Sequence, residues 1–125
     1  MKNRCSGVLL AFAVLGAMMF HGMALASAGE SLSVVGGEPM VYVGDNGEEL
    51  LARYFMLSDE SLRFVKILFP DGTEYTLPQV LSASGARYTD DIELLWWVKG
   101  DVAYVEKRDE TGEWQPLYKD CRVRP

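Results

Sequence analysis

The sequence predicts an all-β domain, a small closed antiparallel barrel or sandwich, and three observations support that class. Its apolar residues come in short or alternating runs, rich in β-branched and aromatic side chains and punctuated by turn residues. Beyond the N-terminal stretch no segment keeps a 3.6-residue apolar period for three turns, which argues against a helical core. About seven short strands joined by hairpins would leave two open edges, and closing the sheet on itself removes them.

The first 26 residues read as an export signal rather than as part of the domain. Lys2 and Arg4 supply a basic start, Gly7 to Phe20 an apolar core, and Ala24-Leu25-Ala26 a small-x-small cleavage site. His21 interrupts the apolar run, which falls short of the roughly 20 residues that a spanning helix needs. Cys5 precedes that run, whereas a lipid-bearing cysteine would follow it. The expectation is a signal peptide over 1–26, cleaved to leave a periplasmic domain over 27–125 with no stable membrane anchor.

Within that domain Pro39 to Val43 reads as a strand and Asp45-Asn46-Gly47 as a turn. Leu50 to Phe55 is the next strand, followed by a polar loop at Ser58 to Ser61 and a strand from Leu62 to Phe69. Pro70-Asp71-Gly72 is a strong turn, because proline presets one φ and glycine tolerates a positive one. Thr73 to Leu77 pairs back across it, and a Ser/Gly loop follows. Strands at Ile92 to Val98, Val102 to Lys107 and Trp114 to Cys121 complete the set, separated by turns at Lys99-Gly100-Asp101 and Glu110-Thr111-Gly112. Adjacent residues of a strand face opposite sides. One of Trp96 and Trp97 therefore points outward.

Loss of residues 1–26 would leave ten basic and 18 acidic side chains, a net charge of −8, with no histidine and one thiol, Cys121. That inventory excludes imidazole triads, His-ligated zinc and CxxC redox chemistry, and no metal or other cofactor is expected. An acidic surface argues against a nucleic-acid partner, whose phosphates require Lys and Arg. It favours a cationic protein through steering and charge complementarity.

Three segments resemble the periplasmic and membrane-bound inhibitors of C-type lysozyme. They are Tyr42-Val43-Gly44-Asp45-Asn46-Gly47 with Leu50 and Tyr54, then Ser82-Ala83-Ser84-Gly85-Ala86-Arg87-Tyr88 preceded by Leu77-Pro78, and Trp97-Val98-Lys99-Gly100-Asp101-Val102-Ala103. The resemblance implies an eight-stranded antiparallel barrel that inserts the loop Ser82 to Tyr88 into the cleft of a C-type lysozyme. It further implies that Ser84 bonds the catalytic carboxylates while Lys99 adds a positive charge, so the chain would not itself be an enzyme. Chemistry suits those roles: a hydroxyl can donate to a carboxylate or accept from a carboxylic acid, and small neighbours let the backbone approach closely.

Two departures accompany the resemblance. Gly44 stands where the family carries a cysteine, so the usual bridge to the position of Cys121 cannot form, and Cys121 is expected to be a buried thiol or to link two chains as a homodimer. Thr89 to Leu95 holds one residue more than expected, which would shift Lys99 relative to Ser84. Blander readings of the same residues are that the serines form turns, Lys99 is solvated, Arg87 pairs with Asp90 or Asp91, and Tyr88, Trp97 and Ala103 pack the barrel. Two other functions compete: an envelope module that binds a glycan or another protein through an exposed Trp96, and an enzyme using paired acids, Asp90 with Asp91 or Glu106 with Asp109.

Overall fold

The structure, a computed structural model, describes residues 29–125. The expected signal peptide and its cleavage site lie outside the described residues. Nine strands follow one another: β1 (Val34–Gly36), β2 (Met40–Val43), β3 (Glu49–Leu57), β4 (Arg63–Leu68), β5 (Glu74–Val80), β6 (Ala86–Thr89), β7 (Leu94–Lys99), β8 (Val102–Arg108) and β9 (Trp114–Val123). From β2 to β9 each strand pairs antiparallel with the next, and β9 returns to β2, so eight strands form a closed barrel. Of barrel and sandwich, the barrel is the form adopted. Among the described residues, no helix is long and apolar enough to cross a membrane.

Three hairpin turns share one construction. Gly44–Glu48, Phe69–Thr73 and Asp109–Glu113 each close with a backbone N–H of the first residue donating to the carbonyl of the fifth, at 2.8, 2.9 and 2.9 Å. Each puts glycine fourth, at φ +83°, +85° and +86°, in the left-handed region that other residues enter at a cost. These are the turns expected from Asp45-Asn46-Gly47, Pro70-Asp71-Gly72 and Glu110-Thr111-Gly112.

Two strands were not expected. β1 pairs with Phe55 to Leu57, extending the edge of β3 beyond the stretch Glu49 to Ala52 that β2 occupies. It is three residues long and exposed, so it has no buried alternation to betray it. β6 lies in what composition marked as loop, and its inward Tyr88 and outward Arg87 show the alternation only once the pairing is known.

β9 has ten residues against the seven of β8, and the pairing slips twice, around Val105 opposite Tyr118 and Glu106 opposite Pro116. The bulges bend β9 enough to reach β2, and one of them accommodates Pro116, which has no N–H for a ladder. The closing seam is short: Tyr42 pairs with Val123 and Val43 with Arg122, supplemented by Arg124 N–H to the Val41 carbonyl at 2.8 Å and an Arg124–Glu49 ion pair.

The barrel interior is aromatic and dry. Trp96 is fully buried and meets the Tyr42 ring edge-on, with centroids 5.1 Å apart. Its indole N–H donates to the Tyr54 hydroxyl at 3.0 Å, which in turn shares a 3.0 Å hydrogen bond with the Tyr42 hydroxyl. Each polar end in this cluster therefore has a partner, which burial demands. Leu50, Ala52, Val65, Ile67, Leu77, Leu94, Ala103 and Val105 fill the remaining volume. Burial raises the Tyr54 hydroxyl well above the usual phenol range, and its bond to Tyr42 adds to the effect.

Cys121 is 0 % exposed and unbridged within the chain, as expected of a buried thiol. A Cβ built on Gly44 would lie 3.8 Å from its Sγ, and the Glu48 carboxylate oxygen occupies that space instead, 2.7 Å from the same point. Burial pushes the Cys121 thiol up to about 11, with Asp45, Glu48 and Asp120 adding repulsion.

Two outcomes are expected. Cys121 should resist a disulfide reagent at pH 8 in the native state and react after unfolding. The folded thiol holds its proton more tightly than an unfolded one near ~8.5. Its contribution to stability is therefore complete below about pH 8.5 and lost as pH rises through about 11, visible as a falling thermal midpoint. Gly44→Cys should form a bridge to Cys121, because its Cβ would lie 3.8 Å from the Cys121 Sγ, so that displacing the flexible Glu48 tip and a shift of roughly 1 Å suffice for bonding geometry. Oxidised Gly44→Cys should gain about 2–4 kcal/mol over its reduced form, read by chemical denaturation with and without reductant.

Candidate functional site

Between β5 and β6 the chain leaves the barrel wall as a short loop, Leu81 to Gly85. Ala83, Ser84 and Gly85 are exposed, whereas Ala86, Arg87 and Tyr88 belong to β6. The segment expected to be one flexible loop is thus half loop and half wall. Tyr88 is buried, faces inward and lies against Tyr54 with centroids 5.7 Å apart, so it packs the barrel and offers no contact surface. Ala86 is likewise packed against the core.

The two serines differ. The Ser82 hydroxyl donates to the Ser84 carbonyl at 2.5 Å and so acts as a turn former. Among the described residues the Ser84 hydroxyl engages no partner. Gly85 has φ +65°, and a Cβ there would lie 2.3 Å from the Val98 carbonyl oxygen, so the loop is pressed against the end of β7 at a point only glycine can occupy.

Pairing of Ala86 with Val98, Arg87 with Trp97 and Tyr88 with Trp96 places Lys99, the last residue of β7, beside that glycine. The notional Gly85 Cβ would lie 2.9 Å from Lys99 Cγ. Lys99 stays beside Gly85, and between Tyr88 and Trp97 the chain makes the β6–β7 turn. Asp91 adopts φ +59° there, and one Asp90 carboxylate oxygen accepts the N–H groups of Ile92, Glu93 and Leu94 at 2.9, 2.8 and 3.1 Å. Partial burial opposes ionisation of Asp90, but those three N–H donors outweigh it and hold the carboxyl below the usual range.

Trp97 is the outward indole, half-buried on the wall, and Trp96 the inward one. This corrects the expectation of Trp97 as interior packing and removes an exposed Trp96 from the grounds for the glycan reading. The Trp97 N–H donates to the Ser84 carbonyl at 2.9 Å, and the Lys99 ammonium lies 4.0 Å from the ring centroid. Arg87 pairs with neither Asp90 nor Asp91; Asp91 lies 3.9 Å from Arg108 instead. Among the described residues, Arg87 and Lys99 have no carboxylate in ion-pair range. Sequence reasoning also missed Leu81, which is 97 % exposed where the loop begins. It follows directly on β5, which ends at Val80.

One acid of each pair considered for catalysis is engaged in shaping a turn. Asp90 caps its turn, and Asp109 accepts the Thr111 hydroxyl at 2.6 Å, the Thr111 and Glu113 N–H groups at 2.9 and 3.0 Å, and the Gln115 amide at 3.1 Å. Among the described residues no cluster of three or more His, Cys, Asp or Glu is placed to hold a metal ion.

Residues 42–114 match the family described as membrane-bound lysozyme-inhibitor of c-type lysozyme. The chain belongs to this family. It is 47 % identical over 53 residues to a protein of Yersinia enterocolitica named membrane-bound lysozyme inhibitor of C-type lysozyme, a stretch covering 42 % of this chain and 40 % of that relative. An Escherichia coli protein of the same name is 64 % identical over 33 residues, 26 % of this chain and 29 % of the relative. The chain thus spans well under half the length of these two relatives. No solved structure matches it. The family match runs from Tyr42 on β2 to Trp114 at the start of β9, and so includes the loop, β7 and Lys99.

Gly85→Ala should disturb this site more than Gly100→Ala. Both positions have positive φ, but a Cβ at Gly100 meets nothing within 4 Å whereas one at Gly85 strikes backbone. Denaturation should show a loss of about 1 kcal/mol for Gly100→Ala and at least about 2 kcal/mol for Gly85→Ala. Equal losses would mean the loop yields freely.

Proposed function

We propose that this protein inhibits a C-type lysozyme by placing the Leu81 to Gly85 loop in the enzyme's cleft. Support comes from membership of the family and from the names its two relatives carry. The observation that carries the reading is the unengaged Ser84 hydroxyl on an exposed loop, with the uncompensated Lys99 ammonium beside it. Lysozymes of this type cleave with two carboxyl groups, one protonated acid and one ionised partner. A hydroxyl can serve either protonation state, and a nearby ammonium offsets the cost of drying the ionised one.

Arg87, free of ion pairing on the same face, would extend the positive side of the contact, and Leu81 would lose its solvent exposure as the loop enters. The acidic remainder of the domain would steer a cationic enzyme toward the loop. On this reading the protein is an exported envelope component that acts by occlusion and catalyses nothing, and its partner is the lysozyme.

The purified protein should lower the lytic rate of a C-type lysozyme in a turbidity assay, and no inhibition at stoichiometric excess would overturn the reading. Ser84→Ala should cost on the order of 2 kcal/mol of binding, about thirtyfold in Kd. Lys99→Ala should weaken binding more at low salt than at high. If both groups serve one enzyme site, the double mutant should lose measurably less or more than the sum of the singles. Wild-type binding by both folded single mutants would exclude the loop as the inserting element.

A further inference from the structure

The loop consists mostly of small residues and has little apolar surface with which to hold a shape, and Lys99 has four rotatable bonds. Something on the wall must order them if hydroxyl and ammonium are to reach one partner site together. Trp97 meets both. The edge of its indole donates to the Ser84 carbonyl at 2.9 Å, an oxygen that also receives the Ser82 hydroxyl at 2.5 Å. The face of the same ring carries the Lys99 ammonium at 4.0 Å. Its cross-strand neighbour is Arg87, and its position is fixed by Trp96, whose side chain anchors the same strand in the core.

We infer that Trp97 is the positioning residue of the binding site, its N–H edge setting the loop and its π face setting Lys99, so that the two are presented as one preassembled unit. This inference rests on the proposed insertion of the loop. Order already present in the free protein removes an entropy penalty that binding would otherwise carry. A lysine held over an indole keeps its charge and loses rotamer freedom, and the attraction is strongest for tryptophan among the aromatic side chains. The two contacts use different parts of one ring and are separable by chemistry: phenylalanine keeps a π face and lacks the N–H, while leucine lacks both.

The test uses Trp97→Phe, Trp97→Leu and Ser82→Ala in the full chain, with backbone relaxation and lysozyme binding as separate measurements. The order parameters of Ser84 and Gly85 should be near about 0.85 in the wild type and fall below about 0.6 in all three variants. The methylene protons beside the Lys99 ammonium should keep their ring-current shift in Trp97→Phe and Ser82→Ala and lose it in Trp97→Leu. Binding should weaken about tenfold in Trp97→Phe with its salt dependence retained. It should weaken further in Trp97→Leu, with a smaller salt dependence than in the wild type. Unchanged order parameters and lysine shifts in folded variants would overturn the inference. A wild-type protein that fails to bind lysozyme would overturn the insertion reading and the binding role with it, while the relaxation data still decide whether Trp97 orders the loop. Should Trp97→Leu fail to fold, Trp97→Phe and Ser82→Ala decide the loop contact and Lys99 shifts in Trp97→Phe decide the ring contact.

Discussion

Strand β7 works in two directions at once, and the rest of the molecule is arranged around that fact. Trp96 drives its indole into the barrel, where its N–H meets the Tyr54 hydroxyl, while the neighbouring Trp97 turns outward and holds the Ser84 carbonyl. Because strand side chains alternate with period two, neither indole can change sides without the other following. The core bond therefore fixes the register on which the outer contact depends. The pairing of Arg87 with Trp97 and the approach of Gly85 to Val98 follow from the same register.

Of the ten cations among the described residues, Arg63, Lys66, Lys107, Arg108 and Arg124 lie within reach of a carboxylate, whereas Arg53, Arg87, Lys99, Lys119 and Arg122 do not. The five pairs are largely solvent-exposed and individually worth little to stability. Two of the five cations without a carboxylate partner, Arg87 and Lys99, flank the loop, and the other three lie on β3 and β9.

Much of this arrangement was legible in the sequence, and what was missed shares a cause. The turns at Asp45-Asn46-Gly47, Pro70-Asp71-Gly72 and Glu110-Thr111-Gly112 announce themselves because positive φ has a residue signature. The Ser84 loop and Lys99 were visible through their segments, and the structure sets them side by side. β6 was hidden because four residues cannot display a period, and β1 because its side chains are exposed on both faces. The outer role of Trp97, the exposure of Leu81 and the unpaired state of Arg87 are properties of register and neighbours. Composition does not encode them: Asp90 looked like a partner for Arg87 until its carboxylate was found committed to three backbone N–H groups.

Gly44, which faces the unbridged Cys121, lies at the seam between β2 and β9, where the barrel closes through two registered pairs and the residues that follow them. Those partners, Tyr42 and Val123, stand near opposite ends of the folded chain, so the seam is among the most non-local contacts in the molecule and carries a large closure entropy. A covalent tie there would have removed that entropy from the unfolded state. Without it, the ring is held shut by reversible contacts between β2 and β9. The barrel is a clasp rather than a weld: it assembles without oxidant, and loss of a few C-terminal residues would uncover two strand edges at once.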